Sequence, residues 1–187
     1  MNNNLILVNS EFPMLKKEPS GLVPVNNFEI KLCREAAVQL DLAMKKINGW
    51  SGITPVSGYR SFDEQQKIWD DCIEESGIDF TRKFVAKPGC SEHQTGLAID
   101  LGKTQKYIDF VRPEFPDDGI CGEFKKIAAE FGFVLRYPLG KENITKIAHE
   151  PWHFRYVGIP HALIMQKHGL VLEEYIEFLK KSNYKVG

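Results

Sequence analysis

The chain has 187 residues, enough for one domain with a substantial core. Hydrophobic residues make up 43% and charged residues 26%, the balance of a soluble globular protein rather than a disordered or membrane one. With a formal net charge of -1 and Lys and Arg spread along its length, it has no basic footprint for nucleic acid.

The start, Met1-Asn2-Asn3-Asn4 followed by Leu5-Ile6-Leu7-Val8, lacks a basic segment. Its apolar run is too short for a signal peptide core or a membrane span, so a cytoplasmic location without a membrane anchor is expected. Residues 5–8 suit a short strand, followed by a Pro-containing connector through Pro24. Between Ile30 and Ile47, the apolar residues Leu32, Ala36, Leu40, Met44 and Ile47 recur at steps of three and four. That spacing predicts an amphipathic helix closed by Asn48-Gly49. Ile53 to Ser57 is β-like but contains Pro55, which places it at a sheet edge or at a strand start.

Ser61-Phe62-Asp63-Glu64 is a capping box, and the helix it opens carries Ile68, Trp69, Cys72 and Ile73 on one face before stopping near Ser76-Gly77. Asp70-Asp71 and Glu74-Glu75 form its solvated side. Gly58-Tyr59-Arg60 therefore lies in the turn between strand and helix. Leu97 to Leu101 alternates as a strand, with Leu97, Ile99 and Leu101 on one face and Ala98 and Asp100 on the other. Residues 102–119 read as a surface excursion forming a lip of the site.

Ile120, Phe124, Ile127, Ala128 and Phe131 make another helix, closed by Gly132. Phe133 to Tyr137 and Trp152 to Val157 are strand-like, and on the second His153 and Arg155 share a face opposite Trp152, Phe154 and Tyr156. Helices at Pro160 to His168 and Leu172 to Lys180 end the chain. With no repeat or linker, the expectation is one α+β domain over residues 1–187. Cys33, Cys72, Cys90 and Cys121 form no CxxC pair and are expected as free thiols, Cys90 among them.

Chemistry concentrates in two segments, Ser91-Glu92-His93-Gln94-Thr95-Gly96-Leu97-Ala98-Ile99-Asp100 and His149-Glu150-Pro151-Trp152-His153. Catalytic zinc takes His nitrogen and carboxylate oxygen from three protein ligands and keeps one position open. His93, Asp100 and His153 supply such a set if their strands are neighbours. Glu150, three residues before His153, would accept a proton from the attacking water. Arg60 would stabilise the negative charge developing on a carbonyl oxygen. A buried Asp100 inside an apolar strand needs a partner, which a bland reading does not supply. His149-Glu150-Pro151-Trp152-His153 also matches the H-E-x-x-H zincin pattern, which needs a helix. Pro151 and the strand-like residues after it argue against a helix and against His149 as a ligand. His161 and His168 are read as surface residues.

Ser57-Gly58-Tyr59-Arg60-Ser61, Gln65, Ser91-x-His93, Gly96-Leu97-Ala98-Ile99-Asp100 and Glu150-Pro151-Trp152-His153 together resemble the zinc D,D-peptidases of vancomycin resistance, the VanY/VanXY group of the LAS peptidases. The likeness runs roughly from Val56 to Tyr175. It implies a LAS/hedgehog-like fold, a small antiparallel sheet carrying the zinc site and flanked by helices, with the catalytic core at about residues 50–160. By resemblance, His93, Asp100 and His153 bind one Zn2+ per chain, Glu150 is the base and Arg60 the transition-state stabiliser. Ser91 and Gln65 resemble residues of the pocket for a terminal D-alanine, and Ser57, Tyr59 and Trp152 complete the expected substrate-binding set.

The implied reaction is hydrolysis of the bond before a C-terminal D-Ala, in D-Ala-D-Ala or in peptidoglycan precursors, which removes the target of vancomycin. Strict dipeptidases of the group resemble Asp-Ala-Tyr-Arg-Pro around the arginine, where this chain has Ser-Gly-Tyr-Arg-Ser. VanY-like motifs without a membrane anchor resemble the bifunctional VanXY type, a monomer or homodimer acting on a small peptide. The alternatives are an L,D-carboxypeptidase or endolysin-type peptidase of the same family, and a non-catalytic zinc-bearing wall-binding module.

Overall fold

A computed structural model of the chain describes residues 3–14 and 18–182. The first elements are β1 (Leu22–Pro24), β2 (Lys31–Cys33), α1 (Arg34–Ile47), β3 (Ile53–Ser57), α2 (Phe62–Ser76) and α3 (Ile78–Phe84). They are followed by β4 (Ala98–Lys103), α4 (Gly119–Ile127), β5 (Phe133–Tyr137), α5 (Glu142–Thr145), β6 (Glu150–Tyr156), α6 (Ile159–His168) and α7 (Leu172–Lys181). The fold class is α+β, as expected.

Four strands form one antiparallel sheet in the order β3-β4-β6-β5. Pro55 lies on β3, the edge strand, where a residue without an N–H does least harm to the ladder. One face of the sheet is apolar. Ile99, Leu101, Phe133, Phe154 and Tyr156 pack there against Ala36, Leu40 and Met44 of α1 and Phe124 of α4. Phe115, from the long connection between β4 and α4, is buried with Phe124 and Phe154 in edge-to-face contacts at 5.4–6.1 Å. A second cluster sits under α6 and α7, where Val134 and Val157 meet Ala162, Met165, Leu172 and Tyr175.

Several elements depart from the sequence reading. Residues 5–8 do not form a strand. Asn3–Leu5 is a single turn of 3-10 helix, and the carbonyls of Asn4 and Ile6 accept hydrogen bonds from Arg155 at 3.0 and 2.7 Å instead of joining a ladder. The helix expected from Ile30 starts at Arg34. Leu32 satisfies the helical spacing, yet it belongs to β2 and pairs with Val23 of β1. Helix α3 follows α2 after Gly77, which holds φ at +81°, and pairs Phe80 with Phe84 at 4.8 Å. The connector expected before Pro24 includes residues 15–17, and the chain start includes residues 1 and 2, which lie outside the described residues. The four cysteines are free. His161 is not a free surface residue, because its Nδ1 is 2.8 Å from the Tyr175 hydroxyl.

The small β1-β2 ribbon has a positioning role. The Lys31 carbonyl accepts from the Tyr59 amide at 2.7 Å, and the Cys33 amide donates to the Gly96 carbonyl at 2.8 Å. Both loops that border the sheet's polar face are thereby tied to one short strand. The approach leaves no space at Gly58, where a Cβ would lie 2.5 Å from the Lys31 carbonyl oxygen and 2.6 Å from Ile30 Cγ2. Gly58→Ala is therefore expected to cost about 1–3 kcal/mol, the usual scale for an overpacked site. Urea unfolding measures this, and an unchanged midpoint would show that the turn has room to relax.

Candidate active site

Residues 91–100 are buried without interruption although half of the first six are strongly polar. Buried polar groups need partners, and this stretch finds them locally. The turn Glu92–Thr95 is a 3-10 helix closed by Gly96, whose φ of +68° suits a residue without a side chain. Thr95 Oγ1 donates to the Glu92 carbonyl at 2.6 Å, and Gln94 Oε1 accepts from the Gly89 amide at 2.8 Å. The turn is thus rigid before any ligand arrives.

His93 leaves that turn facing Asp100, which stands on β4 directly opposite His153 of β6. His93 Nε2 lies 3.1 Å from Asp100 Oδ2, and His153 Nδ1 lies 2.9 Å from Asp100 Oδ1. The three donor atoms lie within 4.8 Å of one another, and all three residues are buried. His93 Nδ1 is 2.6 Å from the Gly58 carbonyl, which requires the proton on Nδ1 and leaves the Nε2 lone pair facing Asp100. Asp100 Oδ1 is buried and accepts no hydrogen bond from the described residues. Two imidazole nitrogens and a carboxylate with an unsatisfied oxygen are the donor set of a catalytic zinc centre. The residues present fit the ion.

Charges follow from that arrangement. Burial would raise the Asp100 pKa, but the charges of His93 and His153 hold it well below the usual carboxylate range. Burial and the Arg60 charge push His93 down to about 4, so its imidazole is neutral at pH 7. Burial alone would lower His153, yet the Asp100 charge outweighs it and raises His153 to about 9 in the metal-free protein. Burial pushes Glu150 up to about 8, helped by the Asp100 charge and opposed by His153 and Arg60.

Glu150 and Arg60 face the same three residues. Glu150 Oε2 is 3.7 Å from His153 Nδ1, and Arg60 NH2 is 3.7 Å from Asp100 Oδ2. Arg60 Nε is buried with no partner among the described residues, so the guanidinium keeps donors for a ligand. Arg60, Glu150 and the three donor residues line one cavity of about 210 Å³. Ser57, Gln65, Ser91 and Trp152 line it as well. Tyr59 does not. Its hydroxyl is directed to Glu18, on the other side of the turn. Gln65 Nε2 donates to the Ala86 carbonyl at 2.7 Å, and its buried Oε1, with no partner among the described residues, is suited to a ligand N–H. Phe110 and Val111 of the long connection complete one wall, so that segment does form a lip. His149 stands apart, with Nδ1 2.8 Å from the Tyr137 carbonyl.

Three charged residues at or behind the cavity, with Glu92 part of its lining, were assigned no role from sequence. Glu92 is fully enclosed, 2.8 Å from both Arg136 Nε and Arg155 NH1. Arg136 also forks onto Glu173 of α7 at 2.6 and 2.9 Å. The available signal was an arginine in the middle of each of two aromatic strands, Leu135-Arg136-Tyr137 and Phe154-Arg155-Tyr156. Neither could be placed beside Glu92 without the strand order.

The family model described as VanY, D-alanyl-D-alanine carboxypeptidase, matches residues 30–159. The chain is similar to the bifunctional D-Ala-D-Ala dipeptidase and D-Ala-D-Ala carboxypeptidase VanXYC of Enterococcus gallinarum, at 41% identity over 96% of this chain and 97% of that protein. A crystal structure of the vancomycin resistance D,D-dipeptidase VanXYg, in complex with a D-Ala-D-Ala phosphinate analog, superposes with a TM-score of 0.93. It shares 54% identity and covers 95% of this chain and 72% of its own. A mutant of the vancomycin resistance D,D-pentapeptidase VanY, from a VanB-type cassette and in complex with Zn(II), gives a TM-score of 0.76. It is 30% identical and covers 92% of this chain and 98% of its own. By the family match and by these identities, the chain belongs to the VanY family of D-alanyl-D-alanine carboxypeptidases.

Proposed function

We propose that this protein is a zinc metallopeptidase that hydrolyses the peptide bond before a C-terminal D-Ala, in D-Ala-D-Ala and in peptidoglycan precursors ending in it. The observation that carries the reading is the convergence of His93, Asp100 and His153 with Glu150 and Arg60 in one cavity. The similarity to VanXYC and to VanXYg, the latter bound to a D-Ala-D-Ala phosphinate analog, supports the choice of bond.

His93 Nε2, Asp100 and His153 Nδ1 would hold a zinc ion, which would supply Lewis acidity toward water and toward a carbonyl oxygen. Glu150 accepts the proton of the attacking water and returns it to the leaving amine. A carboxyl whose proton affinity lies near neutrality suits both directions. Arg60 turns its free guanidinium donors toward the carbonyl oxygen as charge develops there. Gln65 Oε1 takes an N–H of the substrate, and the Ser91 hydroxyl, Ser57 and Trp152 border the terminal D-Ala. Tyr59 acts on the backbone path of the Arg60 turn rather than on substrate. The catalytic unit covers about residues 50–160, since every group named lies between Ser57 and His153.

The enzyme acts in the cytoplasm as a monomer or homodimer, on the precursor pool before export. No helix among the described residues is long and apolar enough to cross a membrane. Removal of D-Ala-D-Ala termini there withdraws the target of vancomycin.

Free D-Ala is expected from both D-Ala-D-Ala and a pentapeptide stem, with loss of release on chelation and recovery on adding zinc. Binding of such peptides by the zinc-loaded protein without any cleavage would make it a binding module instead. Metal analysis of purified variants tests the cage: His93→Ala and His153→Ala are expected to lose zinc, and His149→Ala to retain it. Equal loss from His149→Ala would restore the helical zincin pattern. Steady-state kinetics divide the remaining roles. Glu150→Ala should keep the metal and lose kcat by at least about 10²-fold. Arg60→Ala should lose about 10²–10³-fold in kcat, whereas a change confined to KM would reduce Arg60 to a binding residue.

A further inference from the structure

Glu92 borders the cavity, yet it is among the most enclosed charged side chains of the described residues. Its two oxygens are used unequally. Arg136 and Arg155 both reach Oε1 at 2.8 Å, and each guanidinium is anchored elsewhere, Arg136 on Glu173 and Arg155 on the carbonyls of Asn4, Ile6 and Tyr156. Oε2 accepts no hydrogen bond from the described residues. Arginine–carboxylate pairs frequently engage both oxygens, as Arg136 does with Glu173, whereas here the second oxygen of Glu92 is left to another group.

The group facing Oε2 is His153, whose Nε2 lies 3.8 Å away and is also buried without a hydrogen-bond partner among the described residues. Nδ1 of the same ring faces Asp100 and Glu150. An imidazole that offers the Nδ1 lone pair to a metal carries its proton on Nε2, and a buried N–H requires an acceptor. A ring displacement of about 1 Å brings these two atoms to hydrogen-bond distance. We propose that Glu92 is the positioning residue for His153: its Oε2 accepts the Nε2–H, fixes the tautomer that presents Nδ1 to the ion, and so sets metal affinity. The inference rests on the zinc reading above and adds to it a carboxylate behind the ligand, held in place by two arginines.

Glu92→Gln tests it sharply. Arg136 Nε claims the amide oxygen, so the amide NH2 is left facing His153 Nε2 and opposes the required tautomer. Chelator competition on the folded variant is expected to show zinc bound about 10–100-fold more weakly, with an altered visible spectrum after cobalt substitution. Affinity and spectrum equal to those of the unaltered protein would overturn the proposal. A measurement on the unaltered protein guards against a variant that fails to fold. With cadmium bound and histidine isotope-labelled, metal–nitrogen NMR coupling is expected at Nδ1 of His153 and Nε2 of His93. Coupling at Nε2 of His153 overturns the assignment. Failure of the zinc reading would look different, because the unaltered protein would then bind no stoichiometric metal.

Discussion

A carboxylate taken out of water in the middle of a sheet must be compensated, and Asp100 sets that condition for this fold. It lies on an interior strand, with two imidazoles within about 3 Å and a guanidinium slightly farther away. Burying an ion costs several kcal/mol even after relaxation, roughly the whole margin by which a domain is stable. Three donor atoms grouped around one point offset that cost when a cation sits among them. The neighbours show the same logic. His93 is kept neutral by burial and by Arg60, while one oxygen of Asp100 accepts no hydrogen bond from the described residues. A divalent cation relieves each of these at once.

The compensation extends one layer further back. Arg155, Glu92, Arg136 and Glu173 alternate in sign behind His153, and the last of them belongs to α7. Buried ion pairs are weak evidence for stability, since apolar residues of similar volume fill such space as well or better. Their worth here is directional. Arg155 is held by three backbone carbonyls and Arg136 by a forked contact on Glu173, so neither can swing away from Glu92. The N-terminal segment, which gives up strand pairing to feed two of those carbonyls, and the C-terminal helix both serve the site without lining it.

The sequence made the reactive groups legible because each stands where its residue type is out of place. Asp100 interrupts an apolar strand, Pro151 breaks a helical metal pattern, and Ser61 with Glu64 announces the helix that holds the Arg60 turn in place. Helix α1 and strands β4, β5 and β6 were readable from periodicity for the same reason. What escaped was set by contacts distant in sequence. Leu32 fits a helix and a strand equally, and only the pairing of β2 with β1 decides between them. Glu92 read as a spacer beside His93 because its partners lie 44 residues or more along the chain, on two other strands. Tyr59 sits between two residues at the cavity, and alternation along the turn sends its side chain to the far side.

Strand alternation also raises a difficulty that the sheet solves by irregularity. Residues three apart on a regular strand point to opposite faces, so Glu150 and His153 should not meet. They do, with 3.7 Å between Oε2 and Nδ1. The register explains it: Glu150 pairs with Tyr137 and Phe154 with Leu135, so three residues of β6 span the single residue Arg136 of β5. A second irregularity lies across the site, where Pro55 pairs with Leu101 and Ser57 with Asp100, leaving Val56 as an extra residue in β3. Bulges re-aim side chains and end pairing, and here they border the cavity on both sides. Pro151 falls inside the first and Pro55 beside the second, where a residue without an N–H removes little from the ladder. The prolines that argued against a helix are therefore part of how a sheet brings base and ligand together. A zincin helix brings its two histidine ligands together with a four-residue spacing, and this sheet brings base and ligand together by breaking its own register.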